Sequence, residues 1–420
     1  MKRYSAYKNS GVKWIGEIPT GWSVRKIKYI FNERSVKGYP DEPVLCSTQK
    51  YGVIPQSMYE NRVVVVNKGL EGLKLVRKGD FVISLRSFQG GIEYAHYQGI
   101  ISAAYTVLAL NPGIDANFMK YLLKSYKFVQ LLQTCVTGIR EGQNINYGLL
   151  RKNSIALPSL PEQGAIVLFL DDKIGKIDHL TDQTTALIER LKELKQSVIA
   201  RAVTRGLNPN VKMKPSGISW AREIPENWDV KRLGSFFTEN KSLNTNLENT
   251  EAYKFNYGSL VRKDVNTDLK EVEETYKKYT MLRKNDIVIN GLNLNYDFAS
   301  QRVAQAFNEG IITSAYIVLS PRKNINYSYY CFLLKTMDSM KIFHGMGTGI
   351  RLTLSFSDLK AQSLPVPSKA EQQNIVDYIE SETSKIDKLI ADKTQEVELL
   401  KELRQRTISD AVTGKIKVTD

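Results

Sequence analysis

Cysteine and histidine are nearly missing from this chain, with three of each in 420 residues. Cys46, Cys135 and Cys331 are odd in number and far apart. That excludes a disulfide framework or a zinc cluster and fits buried thiols in a reducing cytosol. His96, His179 and His344 stand alone, none at ligand spacing, so no metal site is expected. No run approaches 18 apolar residues, which argues against a membrane span. The opening MKRYSAYKNS has no apolar stretch of the secretory kind, so a cytoplasmic chain is expected. The phosphate loop G-x-x-x-x-G-K-[ST] is absent, as is the Asn-Pro-Pro-aromatic stretch used for methylating amino groups. Gly345-Met346-Gly347-Thr348-Gly349 lacks the strand–helix setting of a dinucleotide site and reads as a flexible turn. Pro40-Asp41 with Glu193-Leu194-Lys195 is only superficially similar to a nuclease core, because the second group falls within a long helical stretch. Nothing here is a catalytic motif, and no cofactor is expected.

Tryptophan is scarce too, and its placement is informative. All four lie in two copies of one phrase, SGVKWIGEIPTGWSV at 10–24 and SGISWAREIPENWDV at 216–230, with eight of fifteen positions identical. The echo continues. Arg77-Lys78-Gly79-Asp80-Phe81-Val82-Ile83 returns as Arg283-Lys284-Asn285-Asp286-Ile287-Val288-Ile289, 206 residues on. Thr137-Gly138-Ile139-Arg140 returns as Thr348-Gly349-Ile350-Arg351, 211 on, and Leu191-Lys192-Glu193-Leu194 as Leu400-Lys401-Glu402-Leu403, 209 on. Residues 38–76 and 244–282 share almost nothing. A duplicated frame with divergent inserts implies two similar bodies.

Charge follows the same division. The net charge is +15, of which residues 1–160 carry +12 and residues 207–363 carry +5, while the remaining segments are nearly balanced. Basic bodies suggest a polyanionic partner, nucleic acid first.

Within each body, short β-branched runs such as Val63–Val66, Asp80–Leu85 and Ala104–Leu108 predict strands. Apolar spacing predicts helices over Phe118–Leu132 and Ser328–Lys341. Each body is followed by some 40 residues without proline, opened by Pro161 or Pro367 and closed by Gly206 or Gly414. Such a helix would be on the order of 60 Å long. Leu170, Ile174, Ile177, Thr181, Thr184, Ile188 and Leu191 step by four and three. Ile379, Thr383, Ile386, Ile390, Lys393, Val397 and Leu400 fall on the same register. A period of 3.5 wants a partner helix, and two matching stripes supply one internally, in antiparallel pairing. The expected fold class is α+β, with two mixed α/β bodies separated by an antiparallel coiled coil in a pseudo-two-fold repeat. The boundaries are 1–160 for the first body and 161–206 for its helix, then 207–366 and 367–420 for the second body and its helix.

Candidate binding residues come from polar and basic loops at matched positions. The first body offers Gln49, Lys50 and Tyr51, then Arg86, Ser87 and Gln89, then Thr137, Arg140, Gln143 and Asn144. The second offers Tyr257, Ser259 and Arg262, then Asn290, Asn293 and Asn295, then Thr348 and Arg351. Arg, Asn and Gln read base edges through paired hydrogen bonds, and backbone amides of Gly and Thr loops suit phosphates.

The order of body, Leu157-Pro158-Ser159-Leu160-Pro161-Glu162-Gln163, long helix, then all of it again resembles the specificity subunit of type I restriction–modification enzymes. Trp14…Pro19…Trp22 with its repeat, Lys78-Gly79-Asp80-Phe81-Val82-Ile83, Ile177-Asp178 and Ile386-Asp387 carry the resemblance. The second copy, Leu364-Pro365-Val366-Pro367-Ser368-Lys369-Ala370-Glu371-Gln372, has extra residues at the helix start. The resemblance implies two target-recognition domains that each read half of a split sequence in double-stranded DNA, with the helices as a fixed ruler. It implies two modification subunits that bind S-adenosylmethionine and two motor-nuclease restriction subunits that use ATP and magnesium. This chain would bind none of those cofactors and would not itself be an enzyme. Unlike inserts predict an asymmetric bipartite target. The competing readings are a self-sufficient DNA-modifying enzyme and a coiled-coil protein adaptor.

Overall fold

The computed structural model describes residues 2–60, 69–85, 87–138, 144–263, 269–322, 325–347, 349 and 352–418. The valine run 63–66 therefore lies outside the described residues. The chain forms two compact units, residues 1–185 with 395–420, and residues 186–394. Two long helices, Leu160–Arg205 and Lys369–Val412, each contribute to both units.

The first unit is centred on a four-stranded antiparallel sheet. Its order is Phe31–Arg34, Thr106–Leu110, Phe81–Ile83, Glu93–Tyr94. The strand Phe81–Ile83 is buried throughout because both faces are covered. Phe81 and Ile83 enter the main core with Trp22, Phe31, Phe118 and Phe128. Val82 points the other way, into a smaller core with Leu45, Val53, Val76 and Ile101. The second unit repeats this order with Phe237–Glu239, Ile317–Pro321, Ile287–Ile289 and Val303–Gln305. Ile287 and Ile289 face its main core, and Val288 faces its smaller one. The repeated motif therefore encodes a strand sandwiched between two cores. Its aspartate closes the turn before that strand: Asp80 accepts the Arg77 amide (2.8 Å) and Asp286 the Arg283 amide (3.0 Å).

The apolar run expected as one helix over 118–132 is two, Ala116–Leu122 and Tyr126–Thr134. Ser125 is extended, and its hydroxyl donates to the Leu122 carbonyl (2.7 Å), an alternative to the helical ladder. The counterpart, Thr336, donates instead to the carbonyl four residues back, Phe332, and Tyr327–Ser339 runs unbroken.

In the first unit the opening half of one long helix meets the closing half of the other. Ile166, Leu170 and Ile174 share the main core with Ile408, Ala411 and Val412, and Arg404 donates to both carboxylate oxygens of Asp178 (2.7 and 3.3 Å). In the second unit the remaining halves meet, with Ala202 and Val203 beside Ile375, Val376 and Ile379, and Lys195 paired to Asp387 at 2.6 Å. Within each unit the helices run antiparallel.

The duplicated tryptophans explain why the helices begin where they do. Trp22 and Trp228 are fully buried. The Trp22 indole N–H donates to the Glu162 carboxylate (3.1 Å), and that of Trp228 donates to Glu371 (2.9 Å). Both glutamates sit in the first turn of a long helix, where a negative charge is favourable. The glycine ending the opposite helix packs on the same ring. A Cβ on Gly206 would stand 3.3 Å from Trp228, and one on Gly414 would stand 3.3 Å from Trp22. Both glycines have positive φ, the usual helix terminator. Each tryptophan thus clasps the start of one long helix and the end of the other.

Candidate nucleic-acid interface

Among the described residues, the candidates lie on two-stranded hairpins and pairs and on the loops that follow Ile83 and Ile289. In the first unit, Leu45–Thr48 and Gly52–Pro55 form a hairpin whose tip is Gln49-Lys50-Tyr51. All three are exposed, and Gly52 takes the left-handed conformation that a three-residue hairpin loop requires. The tip rests against the short helix Ser87–Gly90. A Cβ on Gly90 would lie 2.8 Å from the Gln49 side chain, so glycine lets the two loops touch. Gln49, Lys50 and Tyr51 share a concavity of about 610 Å³ with Ser84, Leu85 and exposed Gln89. Ser87 serves this loop from inside. It is buried, and its hydroxyl accepts the Ser84 amide (2.8 Å). Thr137 and Asn144 are exposed and face each other across a short antiparallel pair. Arg86, Arg140 and Gln143 lie outside the described residues.

An ion pair between a buried carboxylate and a half-buried lysine underlies the first hairpin. The Lys124 ammonium lies 2.6 Å from the Glu93 carboxylate and donates to the Gln49 carbonyl at 2.7 Å. Burial pushes the Glu93 carboxyl up to about 7, against the opposing pull of Lys124. His96 is held below the usual imidazole range by burial and then by the nearby lysines Lys120, Lys78 and Lys124. These groups border a groove of about 820 Å³ whose other wall is made by Asp178, Asp182 and Arg404 of the helices.

The second unit carries the equivalent hairpin, Tyr253–Asn256 with Ser259–Arg262. Its two-residue tip, Tyr257-Gly258, has positive φ at both positions, the turn that suits strand twist. Tyr257 is 77% exposed. Ser259 donates to the Asn256 carbonyl (2.7 Å), and the Arg262 guanidinium is paired with Glu251. Asn290, Asn293 and Asn295 occupy the segment between Ile289 and Val303. Asn290 is half-buried and its side chain accepts the Leu292 amide (3.2 Å). Asn295 is half-buried as well, whereas Asn293 is exposed with positive φ. Thr348 and Arg351 lie outside the described residues. Of the nearby glycines, Gly347 serves packing, since a Cβ there would lie 2.8 Å from the buried Leu294, whereas Gly345 and Gly349 have open space around them.

Three groups at these loops escape a search for polar loops: Lys124, Glu93 and Arg302. Lys124 recurs as Lys335 in Leu-Leu-Lys, 211 residues on, and that repeat was the available signal. Glu93 and Arg302 have no echo. Val288 stands opposite Ala304 as Val82 stands opposite Glu93, which places Gly91 where the second unit has Arg302. Among the described residues no group of His, Cys, Asp and Glu could hold a metal ion, and no helix is long and apolar enough to cross a membrane.

The chain matches the family model for the type I restriction modification DNA specificity domain twice, over residues 19–190 and 225–399. It is 23% identical over 428 residues to a putative type I restriction enzyme MjaX specificity subunit of Methanocaldococcus jannaschii, with 96% of each chain covered. It is 23% identical over 284 residues to the type I restriction enzyme EcoBI specificity subunit of Escherichia coli, covering 64% of this chain and 59% of the relative. Among solved structures, a chain from work on complex assembly and conformational transition of the type I R-M system superposes with a TM-score of 0.70 at 15% identity, covering 95% of this chain and 99% of that one. The HsdS subunit from Thermoanaerobacter tengcongensis gives 0.51 at 16% identity, covering 95% and 98%. At such identities the structural likeness establishes the fold.

Proposed function

Since the chain belongs to the type I restriction modification DNA specificity family, we propose that it selects the DNA target of a type I restriction–modification complex. Residues 1–160 and 207–366 are the two recognition domains, and 161–206 and 367–420 are the helices between them. Each domain reads one half of a bipartite, asymmetric target. The observation that carries this reading is the pair of sheets with one strand order and unlike loops at the same end. Identical loops would read identical half-sites, and these differ in length, charge and aromatic content.

The chain is the non-catalytic member of its complex. Two modification subunits, which hold S-adenosylmethionine, and two restriction subunits complete the assembly. Exposed leucines support docking of such partners along the helices. Leu180, Leu187 and Leu194 recur at seven-residue spacing on the first and are 41–50% exposed, and Leu389 and Leu403 on the second are 48% and 46% exposed. Hydrogen bonds to base edges in the major groove supply discrimination, and lysines at the loops supply salt-sensitive attraction to phosphates.

The test is co-expression with modification subunits and mapping of methylated bases across a genome. One asymmetric, two-part motif is expected. A palindromic motif, or methylation by the purified chain alone, contradicts the proposal.

A further inference from the structure

The segment 290–302 of the second unit is built around one buried cation. Arg302 is 1% exposed. Its guanidinium donates to the carbonyls of Asn290 (3.1 Å), Leu292 (2.7 Å), Asn293 (3.4 Å) and Asp297 (2.8 Å). Its own backbone N–H donates to Asp338 (2.6 Å). The nearest carboxylate oxygen to the guanidinium, on Asp297, is 3.8 Å away, so backbone carbonyls do most of the solvating of this charge. Arginine does not deprotonate in proteins, and its planar fork reaches several acceptors at once. No lysine ammonium could span the same four carbonyls with that geometry.

The rest of the segment is fastened at separate points. Leu294 is buried, and its amide donates to the Leu352 carbonyl (3.1 Å). The Leu354 amide donates to the Gly291 carbonyl (2.9 Å). Phe298 stacks on His344 at 4.6 Å, and a ring nitrogen of His344 lies 3.1 Å from the Asp297 carbonyl. A segment of thirteen residues without regular structure is thereby held in one shape. Besides Ala299, the side chains it leaves outside are Asn293, Tyr296 (75% exposed) and Phe298 (57% exposed). The hairpin tip with Tyr257 lies alongside, since a Cβ on Gly258 would lie 2.6 Å from Gln301.

We propose that Arg302 is the positioning residue of the second unit's DNA-reading loop, and that Asn293, Tyr296 and Phe298 are the side chains it presents to base pairs of one half of the target. The proposal rests on the specificity reading above. Its chemistry is an amide suited to adenine edges and aromatic faces suited to thymine methyls and bases, held rigid before binding so that little ordering cost remains.

The experiment uses the full chain in complex with modification subunits. It compares wild type, Arg302→Ala, Arg302→Lys and the surface double variant Asn293→Ala/Phe298→Ala on DNA libraries randomised at every target position. Arg302→Ala should lose tenfold or more of its base discrimination, confined to one half of the target. Salt-dependent binding to unrelated DNA should stay unchanged, and Arg302→Lys should recover part of the loss. If Arg302→Ala does not fold, the double variant decides, because both of its residues are at the surface. Discrimination kept in both halves, or lost equally in both, overturns the proposal. Wild type giving no bipartite motif overturns the specificity reading itself, before any variant is compared.

Discussion

The two loop regions at the edge of the central sheets show how one frame supports unlike surfaces. In the first unit nine residues join Ile83 to Glu93. In the second, thirteen join Ile289 to Val303. The first turns at Gly91, which has a φ of +91° and lies so close to the Leu123 carbonyl that no side chain fits. The second has a buried arginine at that place and gathers its extra residues around it. The first hairpin rests on the Lys124–Glu93 pair, where the second unit has Lys335 and Ala304. The strands beneath are the same in order and register. The lesson is that the surface is changed by replacing the buried ion that organises each loop, while the sheet is left alone.

That comparison can be broken or sharpened at four levels. The frame should respond equally in both units. Trp22→Ala and Trp228→Ala each remove a buried ring and its indole hydrogen bond to a helix-start glutamate, and each should cost about 3–5 kcal/mol. Urea unfolding of the full chain that finds one of them tolerated would end the equivalence.

The next effect should occur in the first unit only. The Glu93 carboxyl lies above its ordinary range because burial opposes its charge, so its contribution to stability is present below pH ~4.5 and is lost as pH rises through about 7. Glu93→Gln should remove that loss. Its advantage over wild type should grow between pH 5 and pH 8, towards about 3 kcal/mol. Parallel stability curves for the two proteins across that window would refute the assignment.

The helix-ending glycines should give a smaller cost. Gly206→Ala forces a side chain into positive φ beside Trp228, at about 1–2 kcal/mol, and Gly414→Ala should lower Tm further, because its Cβ would also run into the Pro19 ring. The smallest stability effect belongs to the hairpin tips. Tyr51→Ala and Tyr257→Ala should stay within about 0.5 kcal/mol of wild type. Each should nevertheless weaken methylation through a different half of the target, and two variants with the same half affected would contradict separate reading by the two units.

The frame was legible because its causes are local or repeated. Phe81-Val82-Ile83 is continuous apolar sequence with both faces buried, and the helix stripe at Leu170, Ile174 and Thr184 is buried as its period requires. Ser125 shows the limit of that approach, since one hydroxyl bond to Leu122 ends a helix that apolar spacing would have continued. The candidate residues were legible as loops, and the structure brings Gln49, Lys50, Tyr51 and Gln89 to one concavity. What organises them was not legible. Arg302 is satisfied by backbone carbonyls, which leave no mark on side-chain pattern. Glu93 and Lys124 are 31 residues apart, and no local pattern or spacing ties the one to the other.

The tryptophan clasp also sets an order of events during synthesis. The apolar face of Ile166, Leu170 and Ile174 is covered by Ile408, Ala411 and Val412, which leave the ribosome more than 200 residues later. The second unit contains its own helix partners and can close first. The earliest-made part of the protein is therefore the last to be sealed, and its bare helical seam is the surface most in need of chaperone protection while translation continues.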